Sequence, residues 1–307
     1  MQMSNRTAPR RILFFGTPCA LSVWPLARLL ADRQPVCAVV TPAAPGQGEP
    51  VHVVPPPRRP LLRTPTASLP HLCQQAGIPL LRVRGLRQRA VQEALAAFAA
   101  ELFVVSCFPW RVPAALLATA RHGGLNLHPA LLPDGRGPDP LFWLYRRGAL
   151  RTGLTLHRLT DELDAGPIVA QQAVDVPLGL PGDQLERLLG QLGGWLLAHT
   201  LADLPAALAA ARPQDEQRAR FAPLPSPADW TVTPDWPAWR AVHFLRGVIP
   251  LGYRPLLVWP GAAPVPVARL IAWAASPTHA RAYAVAGAQF FVCHDGVLVV
   301  QRAETPS

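Results

Sequence analysis

Residues Gly123–Pro140 read GGLNLHPALLPDGRGPDP. The apolar Leu125 and Leu127 alternate with Asn126 and His128, so Gly124–Pro129 reads as a short strand. Residues two apart on a strand share a face, which aims the amide of Asn126 and the imidazole of His128 at one point. A loop rich in Gly and Pro follows at once. An amide that can donate to a carbonyl oxygen, beside an imidazole that can donate or accept a proton, suits acyl transfer. An Asn that merely ends a strand and a His bonded to a loop carbonyl is the structural alternative.

Outward from this strand the pattern is that of an α/β fold. Arg11–Gly16 (RILFFG), Val36–Thr41 (VCAVVT), IPLLRV and Leu102–Cys107 (LFVVSC) are apolar throughout rather than alternating. Such strands belong in a mostly parallel sheet with helices on both faces. Helices are expected at SVWPLARLLA, ASLPHLCQQAG, Gln88–Ala100, Pro140–Arg147 and from Gly182 to Leu204. Later strands are expected at Gly153–Leu159 and Ile168–Val176. Open α/β sheets bind ligands at the carboxyl ends of their strands, where Asn126 and His128 stand. Asp164, in TDELDAGPIVAQ, lies in a loop of that kind; an acid there would raise the pKa of His128 and fix its orientation. A turn Asp with no such role is the plainer reading of that residue alone.

After Leu204 the composition changes. The expected organisation is a catalytic domain over 1–207, a linker over 208–233 and a small β domain over 234–307. The last is built from AVHFLRG and from PLLVW, VARLIAWAA, ARAYAVA, QFFVC and GVLVV.

Several function classes are excluded or disfavoured. All 29 basic residues are Arg, so no Lys serves as Schiff base, and a P-loop is absent. There is no Gly-x-Gly-x-x-Gly fingerprint after strand one and no Gly-x-Ser-x-Gly elbow. No metal-ligand spacing occurs, so no metal is expected. The five Cys, at 19, 37, 73, 107 and 293, form no Cys-x-x-Cys pair and fit free thiols in a cytoplasmic protein. Neither a signal peptide nor a membrane span is expected. The formal charge of +10 favours anionic partners without naming one.

RILFFGTP, NLHPALLPDGRGPDP and TGLTLHRLTDELDAGPIVAQ together resemble the folate-dependent formyltransferase family, with Ala130 where its loop has Ser. The overall layout is closest to those members that formylate methionyl-tRNA. The resemblance implies a Rossmann-like formyltransferase fold with a shortened OB-like tail. It implies 10-formyltetrahydrofolate as formyl donor and an amine as acceptor. Asn126 would polarise the formyl oxygen, His128 would stabilise the adduct and assist proton transfer, and Asp164 would keep His128 charged and oriented. The pterin would lie near Phe108, Pro109, Trp110 and Leu163. Methionyl initiator tRNA would be met by Arg58, Arg59, Arg63, Arg136 and the C-terminal domain of a monomer; Arg136 could equally brace its own loop. Departures from the family pattern, GQGEP and a distant PPPRR in place of a basic loop, and FPWRVP after strand four, bear on the acceptor. A small amine such as a nucleotide-linked amino sugar is the alternative acceptor, and hydrolysis of the donor the alternative reaction.

Overall fold

The computed structural model describes residues 11–44, 49–54, 68–275 and 287–303. Arg58, Arg59 and Arg63, and the expected strand ARAYAVA, lie outside them.

The chain order begins β1 (Ile12–Gly16), α1 (Ala20–Ala31), β2 (Val36–Pro42), β3 (Val51–Val54), α2 (Leu69–Ala76), β4 (Leu80–Val83), α3 (Arg89–Ala96) and β5 (Leu102–Ser106). It continues with α4 (Ala114–Leu117), β6 (Gly124–His128), β7 (Asp134–Arg136), α5 (Pro140–Arg147), β8 (Arg151–Arg158), β9 (Ile168–Asp175), α6 (Gly182–Ala202) and α7 (Leu204–Ala209). Eight strands form one sheet in the order β3-β4-β2-β1-β5-β6-β8-β9. β4, β2, β1, β5 and β6 run parallel, β3 is antiparallel to β4, and β8 is antiparallel to β6. This is the α/β architecture expected from the apolar strands.

β1 shows why those strands lack alternation. Leu13 and Phe15 enter a core with Ala38, Val40, Phe103 and Val105, while Ile12 and Phe14 on the opposite face are equally buried. Both faces are covered, so water selects no polar residue on either. Local chemistry sets the helix ends. Ser68 accepts the His71 N–H before α2, and Gly77 ends that helix at φ 65°. Asp139 accepts the Phe142 N–H before α5, Pro140 fills the first turn, and Gly148 closes it at φ 67°.

The described chain clusters into two compact units. One takes residues up to Gly137, Gly153–Ala173 and Glu186–Phe221; the other takes Pro138–Thr152, Val174–Leu185 and the chain from Ala222. The expected linker 208–233 is thus shared between them, and it is not featureless: β10 (Arg220–Phe221) pairs with β7, and β11 (Thr231–Val232) pairs with β12 (Leu256–Leu257). The helix at Pro140–Arg147 is as expected in extent but clusters with the second unit.

In the second unit, α8 (Ala238–Val248) meets α5. Gly247 is required there, because a Cβ would stand 2.1 Å from the Tyr145 ring. Phe142 contacts Phe244 and Tyr253 edge-on or tilted, at centroid distances of 5.5 and 4.8 Å. β13 (Val265–Ala274), β14 (Ala288–Cys293) and β15 (Gly296–Arg302) complete a five-stranded sheet ordered β11-β12-β13-β15-β14, antiparallel except at β11–β12. No helix among the described residues is long and apolar enough to cross a membrane.

Candidate active site

The antiparallel β6–β8 pair places Asn126 opposite His157 and His128 opposite Thr155. Four polar residues therefore share one face at one strand end. β5 lies on the other side of β6, with Val105 opposite Asn126 and Ser106 opposite Leu127, so Cys107 and Phe108 emerge next to the same end.

The three residues expected to converge do so. Asn126 Nδ2 donates to Asp164 Oδ1 at 3.3 Å, and His128 Nδ1 stands 3.6 Å from Asp164 Oδ2. The Gly137 N–H donates to Asp164 Oδ2 at 2.9 Å. Both His128 and Asp164 are buried, at 4% and 8% exposure. Asp164 has φ 53°, the left-handed region that Asp tolerates better than most residues. Its loop closes at Gly166, where a Cβ would lie 1.8 Å from the Arg158 carbonyl oxygen. Only Gly permits that approach, and the approach carries Asp164 back over β6.

Hydrogen-bond partners fix both imidazoles. His128 Nε2 lies 2.8 Å from the Gly135 carbonyl, which only accepts, so Nε2 carries the proton and Nδ1 presents its lone pair toward Asp164. His157 Nδ1 lies 2.9 Å from the Arg158 carbonyl, so its Nε2 accepts from Asn126 Nδ2 at 3.0 Å. That acceptor, together with the Asp164 carboxylate, decides which way the Asn126 amide points.

The electrostatics correct one expectation. Burial pushes the His128 pKa below the ordinary histidine value; Asp164 pulls it up without overcoming burial, and His157 adds to the lowering. His128 is held neutral near pH 7 rather than kept charged. Burial works in the opposite sense on Asp164, but the imidazoles of His128 and His157 beside it and the Gly137 N–H outweigh it and hold the carboxyl at about 2. A fixed anion thus faces a neutral imidazole. That arrangement lets Nδ1 take a proton and stabilises the cation that results.

The sequence motifs give His157 no part in this site. The available signal was its two-residue spacing from Thr155 on an adjacent strand. Thr155 itself donates to the Ala130 carbonyl at 2.6 Å and accepts from the Leu132 N–H and from Gln171. It thereby pins the loop that follows His128. Gln214 was missed as well: its Nε2 donates to the carbonyls of Asp164 and Gly166, at 2.7 and 2.8 Å.

Arg136, expected to meet tRNA, is turned inward. It makes a bidentate pair with Glu216 at 2.7 and 2.8 Å and donates to Gln214 at 3.0 Å. Three of its five N–H donors brace the loop, the other role considered for it. Of the residues expected near the pterin, Phe108 and Trp110 are half-buried and in edge contact at 5.4 Å, while Pro109 and Leu163 are exposed.

The family model for formyl transferases matches residues 38–201. The chain belongs to the formyl transferase family. A methionyl-tRNA formyltransferase from Acidothermus cellulolyticus is 36% identical over 244 residues, covering 78% of this chain and 70% of that one. Among solved structures, methionyl-tRNA formyltransferase from Clostridium thermocellum shares the fold with a TM-score of 0.60 at 13% identity, over 96% of this chain and all of that one. HypX from Aquifex aeolicus, solved in complex with tetrahydrofolic acid, does so with a TM-score of 0.64 at 15% identity. The match covers 96% of this chain and 44% of HypX, so this formyl transferase spans less than half of that protein's length.

Proposed function

We propose that this formyl transferase moves a formyl group from 10-formyltetrahydrofolate to the amino group of methionyl-tRNA. The observation that carries the reading is the convergence of Asn126, His128 and Asp164 at the end of β6, in a chain 36% identical to a methionyl-tRNA formyltransferase.

The residues fit such a donor. Half-buried Phe108 and Trp110 offer apolar surface at the end of β5, and Leu163 keeps 40% of its surface exposed beside Asp164. A flat heteroaromatic ring would cover surface of this kind. The Asn126 N–H held by the 3.3 Å contact to Asp164 is the weaker of its two bonds and is the one released to the formyl oxygen. As the amine adds, that oxygen gains charge and the Asn126 N–H stabilises it. Neutral His128 takes the amine's proton at Nδ1. Asp164 stabilises the imidazolium, and the Gly135 carbonyl holds the ring in register. As the adduct collapses, the bond from the formyl carbon to N10 of the donor breaks, N10 takes the proton back from His128, and tetrahydrofolate leaves. No group on the protein becomes covalently attached; positioning and charge stabilisation carry the rate.

The test offers purified protein 10-formyltetrahydrofolate with methionyl-tRNA, and in parallel with nucleotide-linked amino sugars. Formylated products are followed by mass spectrometry. Formylation of methionyl-tRNA is expected. Turnover of an amino sugar with methionyl-tRNA untouched would overturn the acceptor, and free formate alone would make the protein a hydrolase.

A further inference from the structure

Two of the five thiols stand at the carboxyl edge of the sheet, on the segments that follow β1 and β5. Cys19 stands at the N-terminal cap of α1, just past the end of β1, and Cys107 follows β5. β1 and β5 are adjacent and parallel, with Gly16 opposite Ser106, so both segments leave the sheet side by side. Thr17 ties the segments together: its hydroxyl donates to the Cys107 carbonyl at 2.8 Å and lies 3.4 Å from Cys19 Sγ. Cys107 is exposed and Cys19 half-buried. Cys107 also has φ 52°, in the left-handed region that a side-chain-bearing residue adopts at a cost.

We propose that Cys19 and Cys107 form a redox modification site, in which Cys19 is the attacking sulfur, Cys107 the resolving one, and a peroxide the oxidant.

The surroundings separate these thiols from the others. The Cys107 S–H donates to Cys19, and with Thr17 and Ser22 this outweighs burial and holds the Cys19 thiol at about 5. Cys107 is raised, foremost because it is the donor in that bond. Burial raises Cys37, and it takes Cys73 and Cys293 to about 12. Cys19 is therefore the thiolate at neutral pH, and the proton it needs to deliver a product lies on its neighbour.

The chemistry balances in two steps. The Cys19 thiolate attacks one oxygen of hydrogen peroxide; an S–O bond forms, the O–O bond breaks, and hydroxide leaves to be protonated as water. The sulfur has lost two electrons to the peroxide and is a sulfenic acid. Cys107 then attacks that sulfur; the S–S bond forms, the S–O bond breaks, and hydroxide leaves with the Cys107 proton as a second water. Two thiols and one peroxide give one disulfide and two waters, and a dithiol reductant reverses the change.

The test treats the full-length protein with hydrogen peroxide and maps the products by peptide mass spectrometry. A Cys19–Cys107 crosslink that dithiothreitol removes is expected. C107S should stop at a Cys19 sulfenic acid trapped by dimedone, and C19S should form neither. In the untreated protein, the pH dependence of iodoacetamide alkylation should show Cys19 reacting with a midpoint at about 5, well below the other four thiols. Oxidation spread over Cys37, Cys73 and Cys293 without the crosslink, or a Cys19 alkylated no faster than those three at neutral pH, would overturn the proposal.

Discussion

Asn126 Nδ2 and His157 Nε2 face each other at 3.0 Å across the antiparallel β6–β8 pair. The contact joins a residue assigned to the substrate oxygen with one that the chain's motifs did not single out. His157 is 1% exposed, and its other nitrogen is held by the Arg158 carbonyl, so it has little freedom to do anything but orient the amide. His157→Ala should leave the Asn126 amide free to turn. Loss of one buried hydrogen-bond partner costs about 1–3 kcal/mol, so kcat should fall by roughly tenfold to a hundredfold. KM for the acceptor should change little. A kcat equal to wild type would remove His157 from the positioning role.

His128→Ala removes the imidazole assigned to take the amine's proton, and formyl transfer should drop by at least about a hundredfold. The pH dependence adds a signature. Because burial lowers the His128 pKa, the neutral form persists below the usual histidine range, and activity should survive to a lower pH than an exposed histidine would allow. Asp164 raises that pKa, so Asp164→Asn should move the His128 titration further down while also slowing turnover. Imidazole NMR shifts followed against pH would check this; a titration moving upward in Asp164→Asn would contradict the electrostatic account.

Much of the sheet and three members of the site were legible in the sequence for a physical reason. β1, β2, β4 and β5 are buried on both faces, and burial on both faces writes an unbroken apolar run. Asn126 and His128 interrupt such a run with polar groups, which stands out. His157 did not stand out, because its role depends on register: only the pairing of β6 with β8 brings it opposite Asn126. Gln214 was hidden more deeply, in a stretch whose Pro and charge suggested only a linker; its contacts to Asp164 and Gly166 span 50 and 48 residues of chain. Arg136 left two roles open for the converse reason. A Gly-flanked Arg reads alike whether its partner is a phosphate or, as here, Glu216.

The Asp164 loop offers a sharper test of positioning. Gly166→Ala would force a Cβ to within 1.8 Å of the Arg158 oxygen, which is backbone and yields only if the loop moves. The carboxylate then leaves its 2.9 Å bond to the Gly137 N–H. A displacement of about 1 Å at a reacting group can cost roughly a hundredfold. Gln214→Ala removes two side-chain bonds to the same loop without adding bulk, so it should reproduce part of that loss in kcat. Steady-state kinetics on both variants would decide; full activity in Gly166→Ala would mean that the loop conformation is irrelevant to turnover.

Asp139 makes a prediction about stability rather than catalysis. It caps α5 through the Phe142 N–H at 3.2 Å, and it accepts a hydrogen bond from the Tyr253 hydroxyl. Burial raises its carboxyl to about 6, from 3.8 in the open chain. A folded-state pKa above the unfolded one means that the stability this proton contributes is fully present below about 4 and is lost as pH rises through about 6. Asp139→Ala deletes the cap and should cost about 1 kcal/mol. Asp139→Asn keeps an acceptor for the Phe142 N–H and has no charge to bury, so its stability relative to wild type should improve as pH rises from 4 to 7. Thermal denaturation of the three proteins at both pH values would test this. A difference between Asn and Asp that does not change with pH would show that Asp139 ionises in the folded protein as it does in the open chain.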